Sequence, residues 1–407
     1  MLTVAEALQK VQDCVAALPP RVVPLEQALG CLTAEAIASD IDSPPYDKSM
    51  VDGYAIRFAD LMDGVAELRF LEEVTAGEVP RIEVVPGTTT RIMTGAPVPA
   101  GADAVVMVER STELPGGAIR LEDQKSKLGQ NIVRRAAVMR RGDAVLPAGK
   151  FVTPTVVGLL AEVGCADLRV VPRPRVAVLA TGNELVEPHN KPGPGQIRNS
   201  NGPMLTAQVT RTGAEPVVLG IARDDRESLR TKIAAGLETD LLVLSGGVSA
   251  GVLDLVPSVL TELGVREVFH KISMKPGKPL WFGLRESANG RMTPVFGLPG
   301  NPVSSLVCFE LFVRPAIAQL AGQPLPAEPQ YRAKLREPFT HRGDRPTFWP
   351  GRRDEWDRGF FGQAVQPLRW QGSGDLRTLV DADCLICFPA GDQAYAAGEE
   401  VDVRPFC

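Results

Sequence analysis

The sequence predicts a multidomain α/β protein. A central doubly wound α/β domain is expected, with an N-terminal helical and linker region carrying an inserted β-rich lobe, and a small C-terminal β-barrel. Three observations predict this. A chain of 407 residues is too long for one ordinary core, and roughly two to four domains follow from that. From about residue 175 to 322 apolar runs alternate with helical patterns, the rhythm of strands and crossover helices in a parallel sheet. In 53–141 and again in 331–407, short β-type runs lie between glycine and proline turns. The boundaries expected are 1–45 with 142–174 for an N-terminal helical part, 46–141 for the lobe, 175–325 for the α/β domain and 326–407 for the barrel.

In chain order, Thr3-Val4-Ala5-Glu6 reads as a capping box opening a helix to about Ala17, before Pro19-Pro20. Pro24–Ser39 suggests a second, shorter helix. Ser43–Ala55, with two prolines and acidic character, reads as irregular and exposed. Thr153 with Pro154 opens a helix to Val163, and Val170-Val-Pro-Arg-Pro-Arg175 reads as a linker. Beyond it come a buried strand at Val176–Ala180, a proline- and glycine-rich loop at Pro188–Gln196, and Asn199-Ser200-Asn201 capping a helix over 203–212. Val217–Ile221 is the next strand, and Asp225 caps a helix over 226–237. Leu241–Leu244, a helix near 255–263, strands near Val268 and Leu280, and Pro294–Phe296 complete the domain. Asn301 with Pro302 then begins a long helix ending at Gly322.

Composition narrows the function classes. Hydrophobic content of 44%, charged content of 23% and a net charge of −5 give no reason to expect nucleic acid or an anionic membrane as partner. No apolar run is read as reaching the roughly 18 residues of a membrane span. The first residues lack the basic-then-apolar pattern of a secretory signal, so the cytoplasm is the expected address. Seven scattered cysteines make no disulfide framework, and Cys384-Leu-Ile-Cys387 reads as packed thiols rather than half a zinc site. With three histidines and no ligand spacing among them, a His-based metal site or a Ser-His-Asp triad has little to draw on.

The stretch Asp240–Pro279 carries the strongest chemical signal. Its apolar strand breaks into Ser245-Gly246-Gly247-Val248-Ser249-Ala250-Gly251, a loop whose backbone N–H groups could face an anion unobstructed by Cβ atoms. Asp254 follows, then Lys271, Lys275 and Lys278. Donors, a carboxylate and three ammonium groups suit phosphate or another oxyanion with a divalent metal. Ligands in such sheets sit beyond the carboxyl ends of the strands, where Glu184, Asp224 and Asn301–Ser304 also fall. Each residue has a plain structural reading beside this one. The glycines could only turn the chain, Asp224 could end a strand, Lys271 could be a solvated charge, and Asn301 could be a simple cap.

Six segments in this order resemble the MoeA-type molybdopterin molybdenumtransferases, which are homologous to the gephyrin E domain. They are Pro44–Ala55, Ile92–Asp103, Thr181–Leu185, Ser245–Asp254, Met274–Pro279 and Gly297–Ser304. The Asp-Gly-Tyr-Ala and Met-Thr-Gly-Ala-Pro segments are more specific to the transferase than the glycine loop, which related pterin-adenylylating proteins share. The resemblance implies an elongated homodimer that takes adenylyl-molybdopterin, inserts molybdate at the dithiolene and releases AMP in a Mg2+-dependent step. It also implies partners in the molybdopterin adenylyltransferase and in molybdoenzyme-maturation proteins. Implied metal ligands are Glu184, Asp224 and Asp254, and implied catalytic residues add Asp52, Thr94, Lys271 and Lys275, the first two acting across the dimer interface. Implied substrate contacts are Ser245, Gly246, Gly247, Ser249, Gly251, Lys278, Pro299, Gly300, Asn301, Ser304, Ser373 and Arg353 (or Arg352). The chain departs from the family where Val133, Ala136 and Val138 replace an arginine, a glycine and an aspartate, where Lys48 replaces an asparagine, and where Arg377 replaces a serine. An impaired paralogue serving as a pterin-binding or dimeric scaffold is therefore the alternative to an active insertase.

Overall fold

The computed structural model describes residues 1–247, 255–287, 290–324, 331–353 and 364–406. They divide into two compact units, one of Val23–Leu29 with Thr33–Leu168 and one of Met1–Val22, Gly30–Leu32 and Arg169–Cys407.

The first unit is β-rich, as its turn-punctuated sequence predicts. A six-stranded sheet runs in the order Ala104–Met107, Gly53–Ile56, Thr88–Ile92, Val65–Val74, Ala118–Glu122, Ser111–Glu113. Gly53–Ile56 is buried throughout, so the exposed irregular segment expected over 43–55 ends in a core strand. The helix expected over Pro24–Ser39 is only a 3-10 turn at Leu25–Gln27, followed by short strands. Ile37–Ala38 pairs with Ala144–Leu146, and Lys150 donates its N–H to the Thr33 hydroxyl at 2.9 Å. Partners more than a hundred residues away leave no local trace. The helix Pro154–Glu162 forms as expected, with the Thr153 hydroxyl accepting from the Val156 N–H.

In the second unit a mixed sheet has the strand order Glu215–Ala222, Arg175–Thr181, Leu241–Ser245, Met292–Leu298, Trp281–Glu286, Val265–His270. The first four are mutually parallel; Trp281–Glu286 runs antiparallel to both its neighbours, so Val265–His270 at the edge again runs with the first four. That corrects the all-parallel expectation at one edge. Only residues 287–291 separate Trp281–Glu286 from Met292–Leu298, too few for the crossover that a parallel return needs.

Side chains alternate across this sheet with the strand's two-residue period. Val176, Val178, Leu241, Val243 and Phe296 enter one core with the helices Val4–Cys14, Asn201–Arg211 and 302–320. Ala177, Leu179, Leu242, Leu244 and Val295 enter another with the helices Arg226–Gly236 and Val256–Glu262. All of Leu241–Ser245 is buried, so each leucine shortened to alanine there would cost about 2–5 kcal/mol.

The capping box forms as read, Thr3 and Glu6 bonding reciprocally, but the first helix stops at Cys14 because Val15 turns extended. Val170 and Val171, expected in a linker, are buried in the strand Asp167–Val171. The run 302–320 is long and apolar enough to cross a membrane by length and composition, contrary to the sequence reading, yet 78% of it is buried in the unit. Its apolar character is explained by the core it fills. Tyr331–Leu335, Ala364–Pro367, Thr347–Arg353, Cys384–Phe388 and Glu400–Pro405 close a barrel, the expected C-terminal element.

Candidate functional site

The first strand of the sheet, Arg175–Thr181, has neighbours whose connections depart in opposite directions, toward Glu215–Ala222 and toward Leu241–Ser245. The crevice between Arg175–Thr181 and Leu241–Ser245 is the switch point where wound sheets bind ligands. A cleft of about 1050 Å3 opens there. Glu184, Asp224, Ser245, Gly246, Gly247, Pro299, Gly300 and Asn301, all singled out in the sequence, line it. A second cavity of about 470 Å3 adjoins it, sharing Pro279, Pro299 and Asn301. Lys275, Lys278, Ser304 and Ser373 line this one.

The glycine loop is held by close approach. Gly246 has φ +97°, and a Cβ there would lie 2.6 Å from the Thr181 carbonyl oxygen. Gly247 has φ +66°, and its Cβ would meet Val256 Cγ2 at 2.6 Å. Both positions therefore exclude an ordinary side chain. The Gly246 N–H donates to the Leu298 carbonyl at 3.1 Å, so it is committed to the sheet and shapes the cleft without being an anion donor. Ser249, Gly251 and Asp254 lie outside the described residues.

Asn201 joins the two cleft loops. Its buried Nδ2 donates to Ser245 Oγ at 2.8 Å and to the Gly300 carbonyl at 2.7 Å. The carbonyl can only accept, which fixes the amide's orientation. Asn199, not Ser200, caps that helix, accepting from the Gly202 N–H at 2.9 Å. Asp224 is held by a reciprocal pair: its Oδ2 accepts from the Asn183 N–H at 3.1 Å, and its own N–H donates to Asn183 Oδ1 at 3.0 Å. Glu184 folds its carboxylate back over Gly182, where a Cβ would lie 2.5 Å from an oxygen. Two exposed carboxylates beside one cleft suit a hard cation that binds through one or two carboxylates and a phosphate, as magnesium does. Among the described residues there is no group of three or more His, Cys, Asp or Glu able to hold a metal.

The lysines are positioned by the segment 271–280. Lys271 takes φ +65° and donates its N–H to the Leu280 carbonyl, while the Ile272 N–H reaches the Lys278 carbonyl, closing a tight turn. Lys275 is docked on the barrel edge by its N–H to Pro346 O at 2.9 Å and by the Phe348 N–H to its own carbonyl at 2.8 Å. Lys271 lines neither cavity, and its backbone shapes the turn that presents the other two. Asn301 occupies the N-cap position but makes no side-chain cap bond; its Nδ2 donates to Ser373 Oγ at 2.7 Å, tying helix to barrel. Arg353 is 3.0 Å from Asp383 Oδ2 and lines neither cavity, and Arg352 bonds Gln366.

In the β-rich unit, Asp52 Oδ1 accepts from the Thr94 hydroxyl at 2.6 Å and from the Thr94 N–H at 2.7 Å. Those two bonds hold the exposed Asp52 carboxyl below its ordinary range.

Sequence reasoning missed Asn183, Asn201, Arg345, Trp349 and Trp370, all cavity-lining. The chain has four tryptophans, and two of them at one cavity was a signal that aromatic scarcity could have raised. Arg345 sits in no recognisable motif.

Fold and cleft together define an α/β protein with a ligand site at the carboxyl ends of parallel strands, closed on one side by a β-barrel. Residues 2–164 match the MoeA N-terminal region (domain I and II), 177–319 the probable molybdopterin binding domain and 332–406 the MoeA C-terminal region (domain IV). The chain is 34% identical over 409 residues to a molybdopterin molybdenumtransferase of Staphylococcus aureus, covering 99% of this chain and 95% of that protein. It is 36% identical over 420 residues to molybdopterin molybdenumtransferase 2 of Mycobacterium tuberculosis, covering 99% of each. A molybdopterin biosynthesis MoeA protein from Pyrococcus horikosii superposes with a TM-score of 0.76 at 33% identity, covering 100% of this chain and 99% of that one. The chain belongs to the MoeA-type molybdopterin molybdenumtransferase family, enzymes of molybdenum cofactor biosynthesis.

Proposed function

We propose that this enzyme takes adenylyl-molybdopterin and molybdate and releases molybdenum cofactor and AMP in a Mg2+-dependent step. The reading is supported above all by the adjoining cavities. Glu184 and Asp224 line one, Lys275 and Lys278 line the other, and Pro279, Pro299 and Asn301 are common to both. A substrate bearing both a phosphoanhydride and a metal-accepting dithiolene needs these two chemistries side by side.

Glu184 and Asp224, with Asp254, would hold the magnesium ion, which when bound supplies charge neutralisation on the phosphoryl oxygens. Asn183 fixes Asp224 through the paired bonds described above, so the carboxylate is oriented before substrate arrives. Lys275 and Lys278 attract the tetrahedral dianion, and the Ser304 hydroxyl is within the same wall. Holding oxyanion and sulfurs together supplies proximity with no protein nucleophile. Lys271 contributes through the turn that presents the other lysines. Asp52 and Thr94 would act from a second subunit of a homodimer, and the four-part division at 45, 141, 174 and 325 is part of the same reading. Cytoplasmic location and hand-over between the molybdopterin adenylyltransferase and molybdoenzyme-maturation proteins complete it.

The test is AMP release. Purified protein with adenylyl-molybdopterin and Mg2+ should liberate AMP when molybdate is added. Substrate binding without release would favour the scaffold reading, for which the specific observation is Val138, 75% exposed where the family places an aspartate.

A further inference from the structure

The smaller cavity contains more than an oxyanion needs. At about 470 Å3 it falls within the range of sites for whole organic ligands, roughly 300–1,000 Å3, several times the space of a four-oxygen anion. Its wall also carries chemistry that an oxyanion cannot use. Trp349 and Trp370 stand with centroids 5.2 Å apart and planes at 88°, forming a right-angled corner of two half-buried indoles. Both ring N–H groups are turned into the backbone: Trp349 Nε1 donates to the Leu368 carbonyl at 2.8 Å, and Trp370 Nε1 donates to the Gly372 carbonyl. With their polar atoms occupied, the indoles offer the cavity hydrocarbon and π surface. Phe339 braces Trp349 at 5.0 Å, so that ring is fixed before any ligand arrives.

The order of parts along the substrate limits what can lie here. In adenylyl-molybdopterin the dithiolene stands between the pterin at one end and the phosphates and adenosine at the other. If the phosphates lie by Glu184 and Asp224 and the dithiolene by Lys275 and Lys278, the pterin must continue away from the larger cleft. The indole corner lines the smaller cavity and not the larger one.

We infer that Trp349 and Trp370 form the pterin platform of this enzyme, one indole stacking on the bicyclic ring and the other bordering it edge-on. This rests on the insertase reading and assigns the ring end of the substrate to the smaller cavity. Stacking on an aromatic face is worth about 0.5–1.5 kcal/mol beyond area burial. A flat, electron-poor heterocycle bearing an anionic tail matches a corner of indoles flanked by Lys275, Lys278 and Arg345.

The experiment is calorimetric titration of the full chain with 6-hydroxymethylpterin, which has neither dithiolene nor phosphate, and separately with AMP plus Mg2+. The wild type should bind both. Trp370→Leu should weaken pterin binding about tenfold, Trp370→Phe should restore most of it, and both variants should bind AMP as the wild type does. Unchanged pterin affinity in Trp370→Leu overturns the inference. So does a wild type that binds AMP but not the pterin, and that result leaves the insertase reading standing. Failure to bind either probe overturns both. Because Trp349 packs on Phe339, Trp349→Phe serves as the second variant, and its expected effect is a smaller loss for the pterin with AMP unaffected.

Discussion

The loop at Ser245–Gly247 and the segment 129–141 of the β-rich unit both place residues at positive φ, and they fill those positions differently. Among the described residues of that loop these positions are glycine, Gly246 at +97° and Gly247 at +66°, and added Cβ atoms would strike Thr181 and Val256. In the lobe Asn131 stands at +56° and Ala136 at +58°, and Ala136 falls where the family resemblance implies glycine. Two residues on, Val138 exposes 75% of its surface in place of an implied aspartate. A left-handed alanine costs about 1–2 kcal/mol. Gly246 and Gly247 thus meet their backbone requirement without a Cβ, while Ala136 carries one at positive φ and Val138 holds an apolar side chain in water. The difference is one of backbone demand: the glycine loop has no room for a side chain, whereas the lobe segment holds one at Ala136.

The largest expected effect breaks the strict side of this contrast. Gly246→Ala forces a Cβ against backbone, and it should destabilise the protein by about 3 kcal/mol in a denaturant-midpoint measurement and abolish AMP release. A mild effect would mean the loop is as tolerant as the lobe. Next comes Lys275→Ala. Loss of a charge-assisted contact worth about 1.5–3 kcal/mol should raise the molybdate concentration for half-maximal AMP release roughly tenfold or more, and an unaltered molybdate dependence would remove that contact.

Two smaller changes sharpen the lobe's side. Ala136→Gly should raise thermal stability by about 1 kcal/mol, since the backbone there is already left-handed; a loss of stability would show that Ala136 is not strained. Thr94→Val removes one of two bonds to Asp52, so the Asp52 pKa followed by NMR should climb back toward 3.8. The sign follows from linkage. Asp52 is depressed in the folded state, so the contact stabilises above about pH 4 and fades as pH falls through the lower folded value.

Much of this was legible in the residues, and what was hidden has physical causes. Leu241–Leu244 announced a strand buried on both faces, and the switch-point rule placed Glu184, Asp224 and Ser245 at one opening. The two short returns after Val265 were not legible as antiparallel, because loop length decides direction and the strands' ends were only approximate. Pro24–Ser39 looked helical because its apolar spacing suits either period, and its pairing partners lie at 144–150. Residue type and order group Lys271 with the site, and the family resemblance groups Arg353 with it. In the structure neither lines a cavity: the Lys271 backbone closes a turn, and Arg353 pairs with Asp383. Asn201 looked like a cap because asparagine near a helix start usually is one, and only the fold shows the two loops meeting at its amide. Trp349 and Trp370, 21 residues apart in sequence, converge only once the barrel has closed.

The central claim is that Lys275 and Lys278 hold a metal oxyanion beside the cleft lined by Glu184 and Asp224. Tungstate has nearly the size and charge of molybdate and scatters anomalously, so crystals of the protein soaked in it test the claim most directly. The account predicts an anomalous peak in the smaller cavity within hydrogen-bond reach of both lysine Nζ atoms, lost in Lys275→Ala. A peak that forms only elsewhere on the chain, or one in the cavity that survives Lys275→Ala undiminished, would contradict it.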